Sequence, residues 1–534
     1  MNKPLAGAAA TALLAALATP AIAVSGHHPQ VLRVGTYKGI HGQYSSIQAA
    51  VNAAQPGDWV LVAPGDYKTR RSSSPAGGPP AGVLITKPLI HLRGMNRDTV
   101  IVDGTKSGPT CSTRAQDQNA GPLEQGKGAG LDGVMVWKAD NVWVENLTVC
   151  NFQGGAGHDG STGNEVWWNG GEDSAKIGGH GFWGNYLTTT STYFADESTA
   201  AQYGIFSSDW SGGSFDQGYA SNFSDSGYYI GACQQVCDQT VNHAWAEYNA
   251  LGYSGSNSGG RLVVENSEFD HNEDGFDTNS QNGDNPPPQD GSCPNGAISP
   301  ITHTHSCWVF MHNYVHDNND PNVPGSGLAA AGPLGTGLSL SGARNDTVMD
   351  NVFANNDAWG VIVVPFPDSG PPCTGGTSTP AVCLYDDYDN AVFHNAFTHN
   401  GGFGNPTNGD IGAVSTEPNP PSCFGANTDP AGLTTSPPML ESLYPECTGQ
   451  TTLPDANALF ADEVACDSAS IAIGPVQGSS ACLPGSNYPR RSKVVMHPLP
   501  GARSLTDPQS ATLPSMPDPC AGAPANPWCP SGRG

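Results

Sequence analysis

Asparagine returns along this chain in pairs five residues apart, and each pair follows a short β-like run. The pairs are Asn146/Asn151, Asn313/Asn318, Asn351/Asn356 and Asn395/Asn400, with Ser267/Asn272 carrying serine in the first slot. The runs before them are Val142-Trp143-Val144, Leu262-Val263-Val264, Trp308-Val309-Phe310, Thr347-Val348-Met349 and Ala391-Val392-Phe393. Glycine before a second apolar run recurs at Gly204, Gly227, Gly252 and Gly275, spaced 23, 25 and 23 residues; Gly337 and Gly360 are again 23 apart. Several short strands per period of about 20 to 25 residues predict a stack of β-coils. Each coil must turn sharply between strands, and asparagine tolerates the left-handed backbone better than most residues. Stacked asparagine side chains can also bond from rung to rung. These asparagines are read as structural.

The start of the stack has its own pattern. Ile47, Ala50, Val51 and Ala54 follow helical spacing after a Ser N-cap, and Pro56-Gly57 stops the helix. Trp59 to Ala63 then reads as a strand, ended by Pro64-Gly65. A short helix here suits the cap that the first rung of a solenoid requires. Ile47 to Tyr67, together with the Asn rungs, resembles the right-handed parallel β-helix superfamily of pectin-lyase-like proteins, over about 45–415. That resemblance implies an all-β, right-handed parallel β-helix solenoid with a short N-terminal capping helix. The superfamily holds polysaccharide lyases, glycoside hydrolases, uronan epimerases, esterases and phage tailspikes, so the fold leaves the activity open.

Interruptions at about 69–82, 105–130, 281–306 and 365–384 are rich in Gly, Pro, Ser and Asn, and read as loops leaving the stack. The expected domains are a signal peptide at 1–23, the β-helix at 24–415, and a Pro/Cys-rich irregular C-terminal region at 416–534, tied by disulfides. Lys3, the apolar run from Leu5 to Leu17 and Ala21-Ile22-Ala23 carry the signal reading and an extracellular, secreted destination. No later apolar run is long enough to enter a membrane. Fourteen cysteines then allow seven disulfides, with Cys233–Cys237, Cys293–Cys307 and Cys373–Cys383 paired by proximity.

Charge narrows the partners. The formal net charge is -27, with 21 Lys+Arg against 48 Asp+Glu. A nucleic-acid partner is therefore excluded, and an anionic polymer would be repelled unless a cation screened it. The only compact basic segment, Tyr488 to Met496, could contact the acidic solenoid or an anionic ligand. Oligomeric state is not readable.

The densest acidic cluster runs from Glu268 to Asp277. Glu268 and Asp270 would share one strand face, and Asp274 and Asp277 flank Gly275. Crowded carboxylates can share a divalent cation or split into acid and base. Glu273-Asp274-Gly275-Phe276-Asp277 resembles the Asp-Asp-Gly-aromatic-Asp calcium segment of some β-helix pectate lyases, with Glu for the first Asp. Asp270 and Glu273 are the expected metal ligands, Ca²⁺ the expected ion, and His271, Asp274 and Asp277 the expected catalytic residues. Such a lyase also needs a basic residue near the cation, and Arg261 and Arg344 are the ones at hand.

Other motifs compete. Gly179-His180-Gly181 and Asp386-Asp387 look like pieces of the polygalacturonase set, in reversed order. His303, His305, His312 and His316 could hold a transition metal. Trp167, Trp168, Trp183, Trp210 and Trp245 are either sugar platforms or core. Registering the repeats aligns Cys150, His271, Asp317, Asn355 and His399 in one outward column, and Glu145, Asn266, His312, Asp350 and His394 in another. The expected function is a secreted carbohydrate-active protein acting on extracellular polysaccharide as a lyase or glycoside hydrolase. The rival is a non-catalytic β-helix scaffold that binds polysaccharide or a cell-surface partner.

Overall fold

The structure is a computed structural model that describes residues 27–156, 161–171, 176–233, 236–282, 288–369, 372–378, 380, 382–415, 421–447, 460, 484–489, 491–498 and 513–531. The expected leader lies outside these residues, as do Cys466 and Cys482.

Short parallel strands stack into three walls. In one coil Leu262–Glu265 lies in wall one, Glu268–Asp270 in wall two and Asp274–Asn279 in wall three. The next coil repeats the set with Trp308–Met311, Tyr314–His316 and Thr336–Ser341. Partners align in register: Val264 on Phe310, Phe269 on Val315, Phe276 on Leu338. These residues point inward and join one continuous core. Aromatic rings follow the same spacing, with Tyr253 stacked on Phe276 at 4.0 Å and Phe353 on Phe397 at 5.2 Å. The parallel β-helix is thus built by alternation: one side of each strand feeds the core and the other faces out.

Wall one begins at Val31–Val34, before the first expected rung. Ser46 caps the helix Ile47–Ala53 by accepting from the Ala49 N–H, and Ile47, Ala50, Val51 and Ala54 are buried in the core. At the other end the stack runs one coil past 415: Cys423–Gly425 pairs with Ala391–Phe393, and Thr435–Ser436 pairs with Gly409–Ala413. A short helix, Leu440–Leu443, then closes it. The interruptions leave at the corners, 69–80 and 104–131 between walls two and three, 280–307 and 365–390 between wall three and the next wall one.

The asparagines divide the turning and the bonding differently from the expectation. From the coil of His243 onward, the left-handed residue at the first corner is the one before the slot: His243, Asn266, His312, Asp350 and His394. At the second corner it is Tyr248, His271, Asp317, Asn355 and His399. The slot residues instead turn inward. Each slot oxygen accepts the N–H of its counterpart one coil earlier: Asn313 from Ser267 at 2.9 Å, Asn351 from Asn313 at 2.9 Å and Asn395 from Asn351 at 3.0 Å. In each pair the later asparagine's Oδ1 is the acceptor. A parallel ladder joins Asn249, Asn272, Asn318, Asn356 and Asn400. The first ladder ends on the carboxylate of Glu441, which accepts the Asn427 N–H at 3.0 Å. Asn146 and Asn151 are themselves left-handed, so the earliest repeat is shifted by one and Glu145 and Cys150 leave the expected columns.

The periodic glycines are not turn glycines. Gly275 has no left-handed φ; a Cβ there would lie 2.5 Å from the Gly337 carbonyl oxygen and 2.7 Å from the Asn318 amide. The column is glycine because the next coil's backbone leaves no room for a methyl group.

All three expected disulfides form, and Cys111–Cys150, Cys423–Cys447 and Cys520–Cys529 complete six among the described residues. They suit an oxidising compartment. Among the described residues no helix is long and apolar enough to cross a membrane.

The tail retraces the stack on its outside. Tyr488 packs on Phe403, Arg491 bonds Glu273, His497 stacks on Tyr248, and Trp528 reaches Tyr37.

Asn318→Ala leaves buried backbone groups unpaired and should lower stability by about 1–3 kcal/mol. Gly275→Ala should cost a similar amount, about 1–3 kcal/mol, through overpacking. His312→Gly, at an exposed left-handed corner, should be neutral or stabilising. Denaturant titration of the three variants checks this; equal losses at His312 and Asn318 would refute the division of roles.

Candidate functional site

The acidic cluster is split by the walls. Phe269 points into the core, so Glu268 and Asp270 face out from wall two as expected. His271 stands at the following corner, its side chain 48% exposed, with Nδ1 2.6 Å from Asp270 Oδ2. The other Asp270 oxygen accepts from the Trp245 indole at 2.6 Å. One coil on, His316 bridges Glu268 through Nε2 at 2.9 Å and Asp317 through Nδ1 at 2.7 Å. Tyr314 stacks on His316 at 3.9 Å, Tyr248 lies 5.5 Å from His271, and the two imidazoles are 6.2 Å apart. On the preceding coils the Tyr219 hydroxyl donates to Glu247 at 2.6 Å. Wall two therefore presents two histidine–carboxylate groups flanked by aromatic rings.

Its electrostatics follow from those bonds. The hydrogen bond to Asp270 raises the His271 pKa above 6.5. Burial opposes charge on His316, but the hydrogen bonds to Asp317 and Glu268 outweigh it and hold the imidazole up to about 10. His316 is an imidazolium at neutral pH.

Asp274 and Asp277 face out from wall three, away from this patch. Ser339 donates to Asp274 at 3.0 Å; Asn279 and Ser341 donate to Asp277 at 2.6 and 3.0 Å. Both are buried. Burial pushes Asp277 up to about 6, and burial with the neighbouring Asp277 charge drives Asp274 well above the usual carboxylate range. They form an acid pair, but they do not meet His271. Glu273 lies at the corner between walls, fully buried, where Arg491 donates to it at 2.8 Å. Burial still pushes its carboxyl up to about 8. Arg491 is the basic residue that sequence reasoning missed at this corner, 218 residues from its partner; the basic segment at 488–496 was the only signal of it.

A cation shared by Asp270 and Glu273 does not match this arrangement. Among the described residues, the groups containing Asp270 that could converge on one ion are Glu247, Asp270 and His271, and Glu268, Asp270 and His316. Glu273 belongs to neither, and each group mixes imidazole with carboxylate where Ca²⁺ takes oxygen. No chemical step is drawn through a cation.

The competing motifs disperse. Arg261 pairs with Asp238, and Arg344 donates to the Gly375 carbonyl. His180 is exposed on a strand pairing with Trp210–Ser211, whereas Asp387 is buried beside the hairpin built on Val382–Tyr385. His303 and His305 sit in an exposed loop, apart from His316 on its strand. Trp168 and Trp210 are core, Trp167 is buried on the outside of wall three, and Trp183 ends a stack of Trp59, His91 and Trp143 at 4.0–4.1 Å spacing.

Glu273, Asp277 and His316 all hold protons more tightly folded than unfolded, so stability should fall as pH rises. The loss spans about 3.8 to 6 for Asp277, 4.5 to 8 for Glu273 and 6.5 to 10 for His316. Melting temperatures should be highest in mildly acidic buffer. Glu273→Gln should flatten the decline below about pH 8 and His316→Gln the decline above it; a profile that rises towards alkaline pH contradicts this.

No family model matches the chain, and no curated protein matches it. Among solved structures, the chain is similar to the A-module of Azotobacter vinelandii mannuronan C-5 epimerase AlgE4, at 13% identity and a TM-score of 0.43, over 72% of this chain and 90% of that one. The alginate lyase of Paenibacillus sp. str. FPU-7 matches at 10% identity and 0.36, over 76% and 97%. Pectate lyase Pel9A matches at 13% and 0.35, over 76% and 78%. At these levels the likeness carries no argument about this chain, and the fold rests on its own strand pairing. With its walls, corners and coil register as described, the chain folds as a parallel β-helix.

Proposed function

We propose that this chain is a secreted enzyme that cleaves an extracellular acidic polysaccharide by proton transfer on the outer face of wall two. One observation carries the reading: an exposed His271 bonded to buried Asp270, 6.2 Å from the charged His316. An elimination needs these parts. His271, unprotonated, takes the proton beside a sugar carboxylate, while His316, held between Glu268 and Asp317, keeps the neighbouring face in place. The carbon–oxygen bond to the leaving sugar breaks as a carbon–carbon double bond forms, and the proton passes to the leaving oxygen. Asp270 fixes the imidazole and stabilises its charged form. A hydrolase would instead need two carboxyl groups open to substrate, and Asp274 and Asp277 are buried. The sparse cations, 21 Lys+Arg in 534 residues, favour the second reading, a binding scaffold without turnover.

The test follows ultraviolet absorbance of an unsaturated product and reducing ends, on a panel of acidic and neutral polysaccharides, with and without Ca²⁺. Absorbance should rise, and His271→Ala or Asp270→Asn should lower the rate about 10²–10⁴-fold, while Asp277→Asn keeps it. The rate should climb with pH above 6.5, as His271 loses its proton, and fall near 10, as His316 does. Reducing ends without absorbance point to hydrolysis, and binding without product points to the scaffold. Strict Ca²⁺ dependence would mean that a cation offsets the sugar carboxylate.

A further inference from the structure

Two neighbouring arginines without an ion pair or hydrogen bond among the described residues lie far from wall two's histidines. A cavity of about 830 Å³ opens between the start of the helix Ile47–Ala53 and the segment after the strand Gly65–Lys68. Its volume falls in the range of ligand sites, about 300–1,000 Å³. Lys68, Arg70 and Arg71 line it, with Asp66 the one acidic side chain. Lys68 is committed, at 2.6 Å from Asp103 and 3.2 Å from Asp66. Arg70 and Arg71 are exposed, and neither guanidinium has a partner among the described residues.

The segment that carries them is pinned at both ends. The Thr69 N–H donates to the Asp103 carbonyl at 2.8 Å, and Ser73 exchanges two backbone bonds with Ala81 on wall three, at 2.8 and 2.9 Å. The arginines therefore project from a braced span. Around them the lining mixes hydroxyl and amide side chains, including Ser45, Ser72 and Asn52, with apolar Ile47, Val83 and Val102. A guanidinium fork pairs two oxygens of one oxyanion, and hydroxyl and amide neighbours suit sugar hydroxyls. The cavity carries two unpaired positive charges within a chain of net charge -27, so it would hold an acidic ligand where the surrounding field repels one.

We infer that Arg70 and Arg71 form a second binding site, which takes acidic sugar units of a polysaccharide through their carboxylate or sulfate groups. It lies six strand steps from Asp270 along wall two, roughly 29 Å at the spacing of neighbouring strands. It acts as an anchor, not as part of the chemistry, and stands whether or not wall two is catalytic.

The full chain is titrated calorimetrically with sodium polygalacturonate, dextran sulfate and dextran at low and raised salt. Polygalacturonate or dextran sulfate should bind, dextran should not, and raised salt should weaken binding. Which polyanion binds identifies the oxyanion as carboxylate or sulfate. The Arg70→Ala/Arg71→Ala variant should lose about ten-fold or more in affinity, the loss of one to two charge-assisted hydrogen bonds. Arg70→Lys/Arg71→Lys should retain part of it, and His271→Ala should bind as the parent does. Unchanged binding by the alanine variant with an unchanged melting temperature overturns the site; so does equal binding of dextran, or no binding of any polymer.

Discussion

Parallel hydrogen bonding between coils is the constraint from which the rest of this molecule follows. Each coil is too small to bury its own apolar residues, and it holds together only when its neighbours lie in register above and below. The asparagine ladders sharpen that register, because one side-chain oxygen takes the N–H of the preceding coil while its amide bonds that coil's carbonyl, as Asn313 does with Val264 at 3.0 Å. A slip of one residue would turn Phe269 outward and Glu268 into the core. The glycine column belongs to the same arrangement. It lets adjacent backbones approach where an alanine methyl group would meet a carbonyl oxygen.

Periodicity made the coils, the capping helix and three disulfides legible, because each leaves a local trace in spacing or composition. It did not separate the residue that turns from the residue that bonds. His312 and Asn313 are adjacent, and only the backbone torsions reveal that the histidine takes the left-handed corner while the asparagine turns inward. The Asp270–His271 contact was also readable, being between sequence neighbours. His316 was visible only as one histidine of four, since its place beside Glu268 depends on an insertion of unknown path. The separation of Asp274 and Asp277 from His271 was hidden for a related reason: a corner of three residues, 271–273, sends the next strand onto another wall.

Burial of ionisable groups on outward faces is the second theme. Outward residues of a solenoid would ordinarily be solvated, yet Glu273, Asp274 and Glu268 are all under 3% exposed. Part of that cover comes from loops leaving at the corners and part from the returning tail, whose Arg491 meets Glu273. Long-range cover of this kind has no periodic signature, so a surface reading of those columns was the natural one. The same cover separates accessible His271 from the inaccessible acid pair on wall three.

The returning tail has a consequence for how the molecule comes into being. Coils can pile up in order while the chain is still being made, each new one settling on the last. The seam along their flank cannot close that way: Trp528 donates to the Ile40 carbonyl across 488 residues. The first coil must therefore wait, partly uncovered, until the chain has been made as far as Trp528 before its outer edge is sealed.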